Sequence, residues 1–275
     1  MTSPAETSVR FAFGDNWARF LENVNEDRVR EAERSLTEFL GEGSLAGRRF
    51  LDVGCGSGLF SLAARRLGAD VVSFDFDERS VWCANELRRR FDGGDTRWRV
   101  ERGSALDREY LRRLGTFDIV YSWGVLHHTG DMWTALDLVS ATVAPGGRLM
   151  IALYNDQGLR SVLWRYVKHT YNVLPAFLRL PYLAAFGCAF EVGACVVSLA
   201  KLQPGRLLTR WTRYESVRGM SRWHDIVDWV GGYPFEVATT AAVVEFYRTR
   251  GFNLERLRTV GGKMGCNEFL FARRG

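Results

Sequence analysis

Lysine is nearly missing from this chain. Of its 37 basic residues only Lys168, Lys201 and Lys263 are lysines, and the excess over acidic residues is +5. That balance tolerates anionic partners but falls well short of a polybasic nucleic-acid binder. Proline is scarce, six in 275 residues, and no Gly-X-Y period accompanies it, which excludes a collagen-like chain. The five cysteines (Cys55, Cys83, Cys188, Cys195, Cys266) form no C-x-x-C pair, so a zinc site is not expected and no metal is assigned. Their odd number and irregular spacing predict reduced thiols and a cytoplasmic setting. Met1 to Arg10 is polar, with no apolar stretch of the kind that makes a secretory signal. Neither an internal repeat nor a low-complexity tract is present.

What remains is ordinary globular material. Apolar residues make up 47% and charged residues 25%, enough for one large domain or a domain carrying a sizeable insertion. One run stands out. Tyr182 to Ala200 holds 15 apolar residues in 19, with Glu191 its only charge. It is barely long enough to cross a bilayer. A glutamate at mid-span is costly there, and Gly187, Gly193 and Ser198 dilute it, so the run predicts a buried or surface-docking helix.

Periodicity orders the rest. Glu26 to Leu40 repeats its apolar residues at helical spacing and is closed by Gly41. Short apolar strands follow at Arg49 to Val53, Ala69 to Asp75, Trp98 to Arg102, Phe117 to Ser122 and Arg148 to Tyr154. Helices at Leu59 to Leu67, Arg79 to Phe91 and Met132 to Val143 separate them. Strands alternating with helices imply βαβ units and a parallel sheet. After a helix at Thr240 to Arg250, strands Leu254 to Val260 and Asn267 to Ala272 flank a Gly261-Gly262 turn, which predicts an antiparallel end. Between 155 and 239 the alternation breaks, and this stretch reads as a mainly helical insertion after strand five that caps the sheet. Residues 1–25 precede the core, which comprises 26–154 and 240–275.

The strand Arg49 to Val53 runs into Gly54-Cys55-Gly56-Ser57-Gly58 and then a helix. Glycines there turn the chain sharply and let a ligand approach the backbone. The spacing is G-x-G-x-G, not the dinucleotide fingerprint G-x-G-x-x-G. Asp52 precedes the loop. Asp75 ends the next strand, 21 residues beyond Gly54, where a carboxylate accepts two ribose hydroxyls. An acid at position 52 suits a ligand with an amino group and a positive centre better than a pyrophosphate.

These pieces, F-L-D-V-G-C-G-S-G at Phe50 to Gly58, V-V-S-F-D at Val71 to Asp75, F-D-I-V-Y-S-W-G-V-L-H-H at Phe117 to His128 and A-P-G-G-R-L at Ala144 to Leu149, resemble the class I S-adenosylmethionine-dependent methyltransferases. The resemblance is to the branch that contains the ubiquinone-biosynthesis O-methyltransferases. It implies a Rossmann-like, doubly wound seven-stranded α/β sheet, mostly parallel with an antiparallel last strand, and S-adenosyl-L-methionine as cofactor. It also implies that Asp52, Gly54, Cys55 and Gly56 bracket the methionine part and that Asp75 holds the ribose. Ser104 and Ala105 would lie by the adenine with Phe76 packed on it, and Trp123 would border the cofactor. Many relatives place an acid where this chain has Ser104, and Asp107 follows slightly later. Asn16 and Trp17 are expected either to fold over the cofactor or to serve as capping and packing residues.

Methyl transfer from a sulfonium is an in-line displacement, for which the protein mostly positions and desolvates. A hydroxyl acceptor gains from a base, and His127 and His128 follow strand four, where such a base belongs. The alternative role for either is to cap a turn or pack on the sheet. Tyr154 and Asn155 end strand five on the same edge. In the insertion Arg218, Arg222, His224, Asp228 and Tyr233 form a further substrate-side cluster. Arg218/Arg222 and His224/Asp228 are spaced to share helix faces, as surface ion pairs are too. The expected partner is a small-molecule acceptor, hydrophobic if the 182–200 run meets it or a membrane surface, with a homodimer compatible. Two other readings share the pattern. An RNA or protein methyltransferase fits the basic pI but lacks an appended RNA-binding module and an N-P-P-Y motif after strand four. A non-catalytic cofactor-binding regulator is opposed by the intact glycine loop and the histidine pair.

Overall fold

Strand propensity and burial organise the molecule around one seven-stranded sheet. The structure is a computed structural model that describes residues 10–11, 13–22, 24–93, 96–200 and 222–275. In chain order the sheet contains β1 (Arg49–Val53), β2 (Asp70–Asp75), β3 (Trp98–Arg102), β4 (Phe117–Trp123), β5 (Val143–Tyr154), β6 (Phe252–Arg258) and β7 (Cys266–Arg273). Their spatial order is β3-β2-β1-β4-β5-β7-β6. The first five are parallel, and β7 runs antiparallel to both neighbours. This is the Rossmann-like arrangement, and the chain reverses its winding between β1 and β4, where such sheets open a crevice at their carboxyl edge.

The central strands are apolar on both faces because both faces are covered. In β1, Leu51 and Val53 enter one core with Phe74, Val120, Ile151 and Phe269, while Phe50 enters the other with Val71, Ile119, Met150 and Leu270. The first core is closed by α5 (Arg108–Leu114), α6 (Met132–Ser140) and α10 (Thr240–Arg248). The second is closed by α2 (Glu26–Leu40), α3 (Leu59–Arg66) and α4 (Glu78–Phe91), and α1 (Gly14–Glu22) adds Leu21. Edge strand β6 buries only Phe252 and is otherwise exposed, and its charged side chains keep it from pairing further.

Local chemistry starts the helices. Asn25, Asp77, Asp107, Asp131 and Thr239 each accept a backbone N–H from the first turn of α2, α4, α5, α6 and α10, worth about 1 kcal/mol apiece. The sequence reading has no helix at α5, where seven residues are too few to show a period. It also ran the helix at 132 on to Val143. The chain leaves that helix after Ser140, and Val143 already pairs with Phe117.

The chain divides into two compact units, Ala12–Val162 with Phe235–Gly275, and Met1–Phe11 with Leu163–Pro234. The first contains the whole sheet. The second contains most of α7 (Leu159–Val173), then α8 (Ala176–Ala200) and α9 (Arg222–Gly231). Its small core is Tyr171, Leu183 and Val230, ringed by Phe11, Trp164, Tyr182, Phe186 and Phe190. Lys168 is buried there and donates to the Trp229 carbonyl, with its ammonium 4.6 Å from that indole ring.

Candidate active site

The loop after β1 is shaped by three residues in the left-handed region, Gly54 (φ 75°), Gly56 (φ 53°) and Gly58 (φ 81°), a conformation that costs any residue with a Cβ. Gly54 and Cys55 both donate their N–H to the Phe74 carbonyl, at 2.8 and 3.0 Å, which ties the loop to the end of β2. Space is tight as well. A Cβ on Gly54 would stand 2.3 Å from Val125 Cγ1, and one on Gly56 would stand 2.7 Å from Trp17 Cε2. The loop is therefore packed by the turn that follows β4 on one side and by α1 on the other.

Two carboxylates flank it. Asp52 is 2% exposed and its Oδ2 accepts the Ser61 hydroxyl at 2.6 Å. Burial pushes its pKa up to about 7, against the Ser61 hydrogen bond and with help from the charge of Asp75. Asp75 Oδ2 accepts the Gly56 N–H and its Oδ1 accepts the Asp77 N–H, both at 2.9 Å. Burial raises its pKa to about 6 against those amides. With the backbone amides of Gly56, Phe76 and Asp77 on it, the Asp75 carboxylate retains acceptor capacity for a hydroxyl donor. Tyr121, in register with Asp52 on the next strand, holds a buried hydroxyl with no hydrogen-bond partner among the described residues. A buried acid and a partly buried one, both with raised pKa values, beside an open-backbone loop fit a cationic ligand bearing a diol, as S-adenosylmethionine does. The same burial and the same two acids hold the Cys55 thiol well above its usual range, so Cys55 contributes its backbone and not a thiolate.

On the amino-terminal side, Gly14 at the start of α1 donates its N–H to Asp77 Oδ2 at 3.0 Å, which latches α1 to α4. Asn16 is 5% exposed, and Trp17 meets the Phe20 ring edge-on at 5.8 Å. Phe76 is half-exposed, with the Arg102 guanidinium 6.0 Å from its ring. Ser104 Oγ accepts the Leu106 N–H, and Asp107 Oδ1 accepts the Tyr110 N–H as the cap of α5. Ser104 and Asp107, the polar groups expected beside the adenine, are thus both engaged in local structure, while Ala105 belongs to the core. Trp123 is turned elsewhere: its indole N–H donates to Glu268 on β7 at 3.2 Å, two strands from β4 on the side away from β1.

The histidines separate into two roles. His127 is fully buried. Its Nδ1 accepts the Tyr154 N–H at 3.3 Å, which places its own proton on Nε2. Its carbonyl accepts the Glu236 N–H at 3.0 Å. His128 is partly exposed. Its ring lies 4.9 Å from Phe13 and stands perpendicular to Tyr154 at 5.4 Å, and Phe235 packs on Tyr154 at 5.2 Å. Asn155 does not join this group. Its Nδ2 donates to the Gly261 carbonyl and its Oδ1 accepts from Asn267, which also donates to Thr240.

Several participants gave no sequence signal. Val125 and Phe13 are single apolar residues in loops. Glu236 accepts the Gly130 and Met132 N–H groups at 3.1–3.2 Å and so fixes the turn that carries both histidines. It lies more than 100 residues away in sequence, where no local spacing marks it. Of the insertion cluster, Tyr233 lies in the second unit, its ring 5.3 Å from His169 and its carbonyl accepting the Phe11 N–H. Arg218 and the side chains of Arg222, His224 and Asp228 lie outside the described residues.

Comparison with known proteins agrees with this geometry. Residues 24–186 match the family model described as a methyltransferase domain. Over 114 residues the chain is 36% identical to a ubiquinone biosynthesis O-methyltransferase of Bordetella avium, covering 41% of this chain and 45% of that protein. Over 112 residues it is 36% identical to one of Rhizobium rhizogenes, covering 40% and 43%. The chain thus spans less than half the length of the curated relatives it matches. Among solved structures, magnesium protoporphyrin IX methyltransferase of Synechocystis with bound SAH shares the fold with a TM-score of 0.54 at 14% identity, over 94% of this chain and 93% of that one. An O-methyltransferase family protein of Burkholderia thailandensis shares it with a TM-score of 0.53 at 17% identity, over 90% and 57%. The family match over more than half of the chain, the sheet order and the acid-flanked glycine loop converge: this chain belongs to the methyltransferase domain family, as a class I methyltransferase whose cofactor is S-adenosylmethionine.

Proposed function

We propose that this chain methylates a hydroxyl group of a small, ring-bearing molecule of biosynthesis, with His128 as the base, in the cytoplasm. One observation carries the reading. Val125 packs on Gly54, and the His128 N–H donates to the Val125 carbonyl at 2.9 Å. The cofactor loop and a partly open imidazole are therefore one residue's packing apart. The names of the curated relatives support a hydroxyl acceptor. The aromatic bracket of Phe13, Tyr154 and Phe235 favours an apolar ring beside the imidazole. The free cysteines support a reducing compartment.

S-adenosylmethionine supplies a methyl group on a sulfonium, and displacement onto an acceptor oxygen leaves a neutral thioether. The chain's own part is placement and charge. Asp75 accepts the ribose hydroxyls, Asp52 opposes the ligand's positive charge, and Trp17 covers the loop at Gly56. His128 removes the acceptor's hydroxyl proton as the oxygen–carbon bond forms. His127, held by Tyr154 and Glu236, keeps the turn in place without meeting the acceptor.

The test is incubation of phenols, catechols and small-molecule extracts with methyl-labelled cofactor, followed by mass spectrometry. Label in an aryl or alkyl methyl ether is expected, and label confined to RNA or protein would overturn the proposal. With an acceptor in hand, His128→Ala is expected to lower kcat by 10²- to 10³-fold, as for loss of a positioned base, with cofactor affinity unchanged. Kinetic constants equal to those of the parent would remove His128 as the base.

A further inference from the structure

Tyr121 on β4 is buried, and its hydroxyl has no hydrogen-bond partner among the described residues. Its packing does not need that hydroxyl. The ring stacks on Phe50 of β1 and on Phe60 of α3, with centroids 6.0 and 5.0 Å away and interplanar angles of 29°. Phenylalanine would fill the same place. Two stacks fix the ring, and a phenol oxygen lies on the ring axis, so it cannot swing to another partner. A buried hydroxyl left in this way bears its full desolvation cost. Such a group calls for a partner that the chain itself does not supply.

The sheet sets this hydroxyl beside the cofactor loop. Asp52 and Tyr121 are partners in the β1/β4 register, on strands roughly 4.8 Å apart. Side chains alternate along a strand. Leu51 and Val53 enter one core, whereas Phe50 enters the other with Tyr121, so Asp52 projects from the same face as Tyr121. Ser61 gives Asp52 its hydroxyl and a backbone donor. A carboxylate has about four lone-pair sites, so acceptor capacity remains. The charges of Asp52 and of Glu268 on β7 both reach the phenol, and with burial they hold its pKa well above the usual range. Tyr121 is therefore a neutral hydroxyl in a negative surrounding. Glu268 already accepts from the Trp123 indole and from Arg258, so it adds charge there more than a ready acceptor.

That surrounding selects among the charged groups of S-adenosylmethionine. The acids repel its carboxylate. The sulfonium has no N–H to donate. The α-ammonium has three, and it meets oxygen acceptors on two neighbouring strands. We infer that the Tyr121 hydroxyl oxygen and the Asp52 carboxylate together accept the α-ammonium of the cofactor's methionine portion. Tyr121 is thus a cofactor-binding residue, and it anchors the end of the chain that carries the sulfonium. This inference rests on the cofactor and not on the acceptor chemistry proposed above.

The experiment is calorimetry with S-adenosylhomocysteine and with its analogue lacking the α-amino group, on the full chain and on Tyr121→Phe. Neither ligand carries a sulfonium, so the ammonium is the charge that distinguishes them. The parent is expected to bind the deaminated analogue at least about 30-fold more weakly. Tyr121→Phe is expected to bind S-adenosylhomocysteine about tenfold more weakly than the parent, the scale of one hydrogen bond to a charged group. It should bind the deaminated analogue as the parent does. In urea unfolding the ligand-free variant should be no less stable than the parent, because phenylalanine keeps both stacks and removes the hydroxyl. The inference is overturned if the variant binds both ligands like the parent, or if it loses the same factor with both, which would mark a change in the shape of the site. A ligand-free variant less stable than the parent would also overturn it, since the hydroxyl would then be held within the fold. A parent that binds the two ligands alike overturns it without recourse to the variant. Methyl transfer to a hydroxyl could still be found in that case, so the two readings fail separately.

Discussion

Replacing Asp52 by Asn is expected to stabilise the ligand-free protein while weakening its hold on the cofactor. Asp52 is buried, and its pKa stands at about 7 against an ordinary 3.8. A group whose pKa is raised on folding contributes stability that is full below its unfolded value and is lost as pH rises through its folded value. At pH 8 the native protein therefore carries a buried charge that the unfolded chain would solvate. The shift of roughly 3 pK units, at about 1.4 kcal/mol each, sets a scale of ~4 kcal/mol. Asn keeps an oxygen for the Ser61 hydroxyl, removes the charge and relieves its repulsion with Asp75. A gain of about 2–4 kcal/mol at pH 8 is expected, shrinking towards zero near pH 4. Urea unfolding followed by tryptophan fluorescence at several pH values measures the gain, and calorimetry with S-adenosylmethionine measures the loss of affinity. An Asn variant no more stable than the parent at pH 8, or one that binds the cofactor as tightly, would refute the reasoning that this charge is kept for a cationic ligand.

Asp75→Ala should weaken cofactor binding by at least ~1–2 kcal/mol, the scale of lost hydrogen bonds to a polar ligand. In the parent, affinity should fall as pH drops below about 6, where the Asp75 carboxyl takes up its proton; calorimetry showing neither effect would remove Asp75 from the ribose. Gly54→Ala combines a φ of 75° with a 2.3 Å approach to Val125, so thermal unfolding should show a loss of about 1–3 kcal/mol, and cofactor titration should show little binding. Glu236→Ala removes the acceptor for the Gly130 and Met132 amides, and a loss of about 1–3 kcal/mol is expected. Turnover should fall while cofactor affinity holds, and Glu236→Gln should recover part of the loss.

Much of the fold was legible because its signals are local. The strands β1 to β4 are short apolar runs, α2 is periodic and closed by Gly41, and the glycine loop announces a turn that only glycine makes well. The two acids that flank the loop were legible for the same reason, since their distance from it along the chain is fixed by one βα unit. The acceptor side was not. His127 and His128 are neighbours in sequence and both stand where a base belongs, with His128 the favoured one and no contact to show why. Only the Tyr154 amide, the Glu236 amide and the resulting burial of His127 separate the turn's anchor from its open imidazole. Nor does the sequence show that Glu268, 145 positions away, accepts the Trp123 indole N–H. The same holds for Asn155, whose side chain is engaged by Asn267 and Gly261.

The amino-acid sequence by itself determined the parallel sheet, the glycine loop with an acid on either side of it, and the class of cofactor. These depend on periodicity, backbone freedom and short spacings that survive in one dimension. The tertiary structure alone decided which histidine is open, which residue fixes its turn, and that α8 keeps most of its surface bare of protein. Those depend on burial and on hydrogen bonds between segments far apart along the chain.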